Sequence, residues 1–267
     1  MTVRRTLVVA SGKGGVGKST VSLNLALAAA ADGLEVGLLD ADLYGPDLAL
    51  MVGVTRRRPA KGVTVWRNRE VRAGGGVGVT PAVKPLERFG IQLMSTQFLV
   101  AEDQALAWSK PLVELLLSRF ASDLDWGDLD LLVVDLPPGT ADVQQLVMER
   151  LDLDGVLVVV TPQDVAHLDA KKVVAMFERG GVPVVGGVEN MSGLRCPCCG
   201  HDVDVFPRVA EERSLWAQGV ACLGRIPLDP AVAAAGDAGR PVMVTAPESE
   251  PGRAFRTLAR TVAVALG

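Results

Sequence analysis

The chain has 267 residues, of which 49 % are hydrophobic and 22 % charged, and a formal net charge of −4. That supplies a sizeable core in one large domain or two small ones, and the acidic balance argues against a general nucleic-acid-binding surface. No apolar run reaches the roughly 18 residues that a membrane-crossing helix needs. Met1–Ala10 leads directly into Ser11-Gly12, without the apolar region and cleavage site of a signal peptide, so a cytoplasmic chain is expected.

Short apolar runs alternate with helical patterns. Thr6–Ala10 is the first expected strand and Lys18–Ala31 the first helix. Strands at Val36–Leu39 and Ile91–Met94 follow, then a helix at Lys110–Phe120 and a strand at Leu131–Val134. The helix Ala141–Glu149, the strand Val156–Val160, the helix Leu168–Arg179 and the strand Val184–Val188 continue the alternation. A helix at Val209–Gln218, a strand at Leu223–Ile226 and a helix at Ala254–Leu266 complete it. Continuous apolar strands suit a parallel sheet covered on both faces. The alternation implies a single α/β domain over 1–267, doubly wound with a mainly parallel sheet. Arg56–Arg88 resists this reading. It is rich in Gly, Pro and Arg, and a long loop or loose hairpin inserted at 55–88 is expected. The seven Lys and Arg residues between Arg56 and Arg72 read as solvated surface charge, with nucleic-acid contact as the alternative.

Gly12-Lys13-Gly14-Gly15-Val16-Gly17-Lys18-Ser19 fits the Walker A pattern, between an apolar strand and an Ala-rich helix. Its glycines let backbone N–H groups converge on phosphate oxygens, and the helix N-terminus adds a favourable dipole. Lys18 is expected on the β- and γ-phosphates of ATP, Ser19 on Mg²⁺ and Thr20 on the α-phosphate. A glycine turn without function is the competing reading, and both flanks disfavour it. Asp40 and Asp42 follow the second strand, at the carboxyl end where such folds bind ligands. Asp42 is the candidate for orienting the attacking water, with Asp40 supporting it. Asp135 ends the strand Leu131–Val134 and reads as the Walker B acid, reaching Mg²⁺ through water. In Pro137-Pro138-Gly139 the Gly139 N–H is a candidate sensor of the γ-phosphate. Any one strand-end Asp often only caps a helix; two such sites beside a P-loop say more.

Of four cysteines, Cys196, Cys198 and Cys199 cluster. Reduced cytosolic thiols so close together point to metal or redox work. Cys196 and Cys199 form a C-x-x-C turn, which aims two sulfurs at one metal. Two thiolates half-fill a tetrahedral site, and a [4Fe–4S] cluster also takes four cysteines. A symmetric dimer supplying a second pair, a zinc site completed by Cys198 and His201, and a redox dithiol all remain open. Cys222, in the apolar run Gly219–Leu223, is expected in the core.

Lys13 resembles the second lysine of the deviant Walker A in the MinD/ParA and nitrogenase iron-protein class. That resemblance implies a homodimer in which Lys13 reaches the partner's ATP. More of the chain is similar to the Mrp/ApbC iron–sulfur cluster carrier family: Ala10–Thr20, Gly37–Pro46, Asp125–Thr140, Thr161–Ala170, Val188–Ser192, Cys196–Gly200 and Gly224–Arg240. Asp135-Leu-Pro-Pro-Gly-Thr140 and Glu189-Asn-Met-Ser192, followed by C-P-x-C, separate that family from MinD and ParA. The resemblance implies a homodimeric P-loop ATPase that holds a bridging [4Fe–4S] cluster on Cys196 and Cys199 and passes it to apoproteins, served by a donor scaffold. It implies adenine contacts at Asn190, with Pro227 and Asp229 in a second base-binding loop. Departures are Asp47 in place of a serine, Trp108-Ser-Lys-Pro111, and the missing glycine-rich turn after Val205-Phe206, where Pro207-Arg208 is expected to lead into a helix. The rivals are a MinD/ParA-like positioning ATPase and a zinc-stabilised regulatory ATPase. A membrane-binding tail would be basic and amphipathic, and Ala254–Gly267 carries only Arg256 and Arg260 as positive charges.

Overall fold

The apolar runs become strands whose side chains are buried on both faces, because helices cover each side of the sheet. The computed structural model describes residues 2–43, 45–54, 84–98, 110–122, 124–139 and 142–267. Its elements are β1 (Thr2–Val3), β2 (Thr6–Ser11), α1 (Lys18–Ala31), β3 (Val36–Asp40), α2 (Leu48–Met51), β4 (Leu86–Arg88) and β5 (Ile91–Ser95). Next come α3 (Lys110–Ser122), β6 (Asp128–Leu129), β7 (Leu131–Asp135), α4 (Asp142–Arg150), β8 (Gly155–Val160), α5 (Asp164–Arg179) and β9 (Val184–Asn190). The chain ends with β10 (Leu194–Arg195), β11 (Asp202–Val203), β12 (Cys222–Ile226), α6 (Pro230–Asp237), α7 (Val242–Thr245) and α8 (Glu250–Leu266).

Among the described residues, eight strands make one sheet in the order β12-β9-β8-β2-β7-β3-β5-β4. All pairs are parallel except β4–β5. β2, β3, β7 and β8 are buried along their whole length. α1, α7 and α8 pack together, while α5 packs on β8, β2 and β9. Parallel strands bring their carboxyl ends to one edge, and that edge gathers the loop after β2, the acids after β3 and β7, and the ends of β9 and β12.

Four expectations change. The segment 209–218 is not an α-helix but two 3-10 turns, Glu211–Arg213 and Trp216–Gln218. Ser214 between them is extended, its hydroxyl takes the Ala217 N–H at 3.1 Å, and the Leu215 N–H goes to His167 Nδ1 at 3.0 Å. Both N–H groups are thereby lost to helical bonding. Pro207-Arg208 accordingly does not open a helix. Cys222 is exposed rather than buried, because β12 is an edge strand with a bulge between Cys222 and Gly224. Leu86–Arg88, expected within a loop, pairs antiparallel with β5 as one arm of a hairpin. Residues 55–83, with the basic residues of this insertion, lie outside the described residues, as do Trp108 and Ser109.

α6 was legible but not expected: Asp229 caps it by accepting the Ala231 N–H at 2.8 Å, with Pro230 at its first position. That is the N-cap and N1 chemistry of a helix start. No helix among the described residues is long and apolar enough to cross a membrane. The apolar face of α8 packs on α1 and β12 through the buried Phe255, Leu258 and Val262.

Candidate functional site

The loop after β2 wraps the N-terminus of α1. Gly17 stands at the N-cap with φ 80°, where a side chain would be strained, and no side chain caps the helix. The first N–H groups of α1 are therefore directed outward, as anion binding requires. A built Cβ on Gly17 would also lie 2.3 Å from Asn190 Nδ2, and that nitrogen donates to Val16 O at 2.8 Å. The end of β9 thus rests against the loop. Gly12 serves packing: its Cβ would come within 2.3 Å of the Asp169 backbone in α5. Gly14 and Gly15 face a cavity of about 240 Å³ shared with Lys18, Ser19, Thr20, Asp42, Asp47 and Pro138.

At its floor lies a compact set of polar groups. Lys18 Nζ is 2.8 Å from Asp135 Oδ2 and 3.8 Å from Asp42 Oδ2. Ser19 Oγ donates to Asp135 Oδ2 at 2.7 Å, and Ser22 Oγ to Asp135 Oδ1 at 2.5 Å. Asp135 is fully buried, and these three donors compensate its charge. Ser22 was not singled out from the sequence, yet its place four residues after Lys18 puts it on the same helix face. Asp42 accepts the Gly45 N–H at 3.2 Å. Asp40 is fully buried, accepting from Ser95 Oγ at 2.8 Å and the Asp42 N–H at 3.2 Å. Burial first, then the Asp135 carboxylate, pushes its carboxyl well above the usual range. Ser19 and Asp135 offer hard oxygen donors that fit Mg²⁺. The Gly139 N–H donates to Ser11 O at 2.8 Å.

Lys13 lines the same cavity. Its Nζ donates to Gln163 Oε1 at 3.0 Å, on the residue that precedes α5. Gln163 was not singled out from the sequence. At the end of β12, Pro227 leads to Asp229, whose carboxylate caps α6.

The cysteines sit on a separate hairpin beyond β9. β10 and β11 pair Leu194 with Val203 and Arg195 with Asp202. The tip is closed by Cys196 N–H to His201 O at 2.8 Å and Gly200 N–H to Cys196 O at 2.9 Å. Cys198 and Cys199 are exposed and Cys196 half-buried. The backbone N–H of Cys199, then that of Cys198, aims at the Cys196 sulfur and holds its thiol below the usual range. Among the described residues, no three His, Cys, Asp or Glu side chains are placed to hold a metal together. Cys196, Cys198, Cys199 and His201 therefore do not assemble a zinc site within one chain in this arrangement.

The family model described as ParA: NUBPL iron-transfer P-loop NTPase matches residues 2–263. The chain belongs to this family. It is 43 % identical to the iron-sulfur cluster carrier protein of Deinococcus radiodurans, covering 98 % of this chain and 69 % of that one. It is 39 % identical to an iron-sulfur protein required for NADH dehydrogenase, mitochondrial, of Arabidopsis thaliana, over 97 % of this chain and 78 % of that one. Among solved structures it resembles a nucleotide-binding protein from Archaeoglobus fulgidus in complex with ADP. The TM-score is 0.73 at 31 % identity, over 95 % of this chain and 92 % of the other. The septum site-determining protein MinD of Pyrococcus horikoshii, complexed with Mg-ADP, gives a TM-score of 0.67 at 25 % identity, over 97 % and 95 %. The doubly wound P-loop NTPase fold expected from the sequence is thus the fold observed.

Proposed function

We propose that this protein is an ATP-hydrolysing iron–sulfur cluster carrier, working as a homodimer that holds a [4Fe–4S] cluster between two Cys196/Cys199 pairs and passes it to apoproteins. The observation that carries this is the hairpin: two cysteines of a C-x-x-C on an exposed tip, where no three His, Cys, Asp or Glu side chains among the described residues are placed to hold a metal together. A second copy of the chain supplies the two missing thiolates. The carrier names of the relatives support the same cargo.

For ATP, Lys18, the outward N–H groups of α1 and Thr20 bind the phosphates. Phosphate would take Lys18 from Asp135, and Ser19 and Asp135 would then hold a Mg²⁺ ion, whose chemistry there would be charge neutralisation. Asp42 orients the attacking water. Positioning and charge stabilisation carry such a reaction. Asn190, Pro227 and Asp229 flank the base. Lys13, on the rim beside Gln163, reaches the partner's phosphates as an arginine finger does. Lys13→Ala and Lys18→Ala chains each lose turnover alone. Mixed, they restore part of it, because in a heterodimer the Lys13→Ala chain keeps Lys18 and borrows the other chain's Lys13, while the second site stays incomplete. A mixture no more active than its parts contradicts action across a dimer. A membrane-positioning role is disfavoured, since the apolar face of α8 is packed against α1 and β12.

A further inference from the structure

Arg208 stands where the sequence departs from the carrier family's glycine-rich turn, and the structure gives it four contacts. Its Nη2 donates to Ser192 O at 2.9 Å. Its Nε and Nη2 reach Asp204 Oδ1 at 2.9 and 2.7 Å. Its Nη1 lies 3.7 Å from Glu189 Oε1, on a carboxylate that is only 4 % exposed. Ser192 precedes β10 and Asp204 follows β11. One guanidinium therefore ties both ends of the cysteine hairpin to each other by hydrogen bonds and, through a longer ion-pair contact shared with Arg225 Nε at 3.3 Å, to the end of β9. Hairpins of two-residue strands have little stability of their own, so outside anchors set the direction of Cys196 and Cys199.

The other anchors lie on the base side of the nucleotide site. The Ser192 N–H donates to Ile226 O at 2.9 Å, and the Leu228 N–H to Gly193 O at 2.7 Å. Leu228 sits between Pro227 and Asp229, and Asn190, next to Glu189, touches the P-loop. The hairpin root and the two base-side segments are thus one hydrogen-bonded unit, with Arg208 closing its far arm.

We propose that Arg208 is a positioning residue for Cys196 and Cys199: it clamps the hairpin to the end of β9, so that a nucleotide base held at Asn190 and the 227–229 loop stiffens the hairpin. This rests on the carrier reading for the meaning of the two thiols, and it adds the path by which nucleotide reaches them. An anchored hairpin presents its thiols in one geometry, and a loose one exposes them to any electrophile.

The test uses the full-length chain without metal. Alkylation of Cys196 and Cys199 by iodoacetamide is timed by peptide mass spectrometry, with and without Mg-ADP. In the wild type, ADP slows alkylation by about fivefold or more, as ordinary coupling between two sites allows. Arg208→Ala and Asp204→Ala bind ADP as the wild type does but lose the slowing. Arg208→Lys keeps part of it, since an ammonium cannot bridge two acceptors as a guanidinium fork does. Equal slowing in the wild type and Arg208→Ala overturns the proposal, as does no slowing in the wild type. Loss of ADP binding by Arg208→Ala also overturns it, by making the residue part of the base site. Iron uptake is measured separately. Protein that takes up iron while its thiols ignore ADP keeps the carrier reading and loses this proposal; thiols that answer ADP in protein that takes up no iron give the reverse.

Discussion

At the residue scale, two groups of like chemistry are driven apart by their surroundings. Cys196 is held toward thiolate by N–H groups of its own turn, whereas partial desolvation of the Cys222 sulfur, on a residue otherwise exposed, pushes that thiol up. In metal-free protein, alkylation of Cys196 therefore rises at lower pH than that of Cys222; coincident pH profiles would contradict the geometry of the turn. Asp40 gives a pH dependence of stability. Its carboxyl is raised in the folded chain, so between its unfolded value near 4 and the raised folded value the native state binds more protons. Stability falls as pH rises through that window. Asp40→Asn keeps the shape without the charge. Urea unfolding at pH 5 and pH 8 should show a smaller loss for the variant than for the wild type. Lys18, Ser19, Asp42 and Asp135 were legible because strand ends and a glycine loop announce them. Ser22, Gln163 and Arg208 were not, since an ordinary serine, glutamine or arginine gains its role only from what the fold places beside it.

At the scale of elements, the P-loop glycines have different tasks. Gly12 lets β2 approach the backbone of α5, while Gly14 has open space, its nearest neighbour Pro138 Cγ at 3.9 Å. Gly12→Ala should cost about 1–3 kcal/mol or more by overpacking, and Gly14→Ala little, in thermal or urea unfolding. Equal losses would contradict the close packing of loop and α5. The long strands and α1 were legible since their apolar periods run uninterrupted. The 209–218 segment misled because its composition suits a helix, whereas Ser214 and the His167–Leu215 bond redirect its N–H groups. Cys222 misled because an apolar run at a sheet edge looks like one at its centre; only strand order tells them apart.

For the whole molecule, the nucleotide loop and the root of the cysteine hairpin are linked through the carboxyl ends of β9 and β12. The Asn190–Val16 bond joins β9 to the loop, and the Ser192–Ile226 bond joins the hairpin to β12. Sequence motifs point to the loop and the hairpin separately, and the topology links them through β9. Two such chains, each offering a rim lysine and a thiol pair, would complete each other's sites. The most direct test is iron, sulfide and zinc analysis of anaerobically reconstituted wild type beside Cys196→Ala, with molecular mass measured on the same samples. About four irons and four sulfides per dimer are expected in the wild type and none above background in the variant. Zinc bound within each single chain, or a variant that keeps its iron, would contradict the shared cluster.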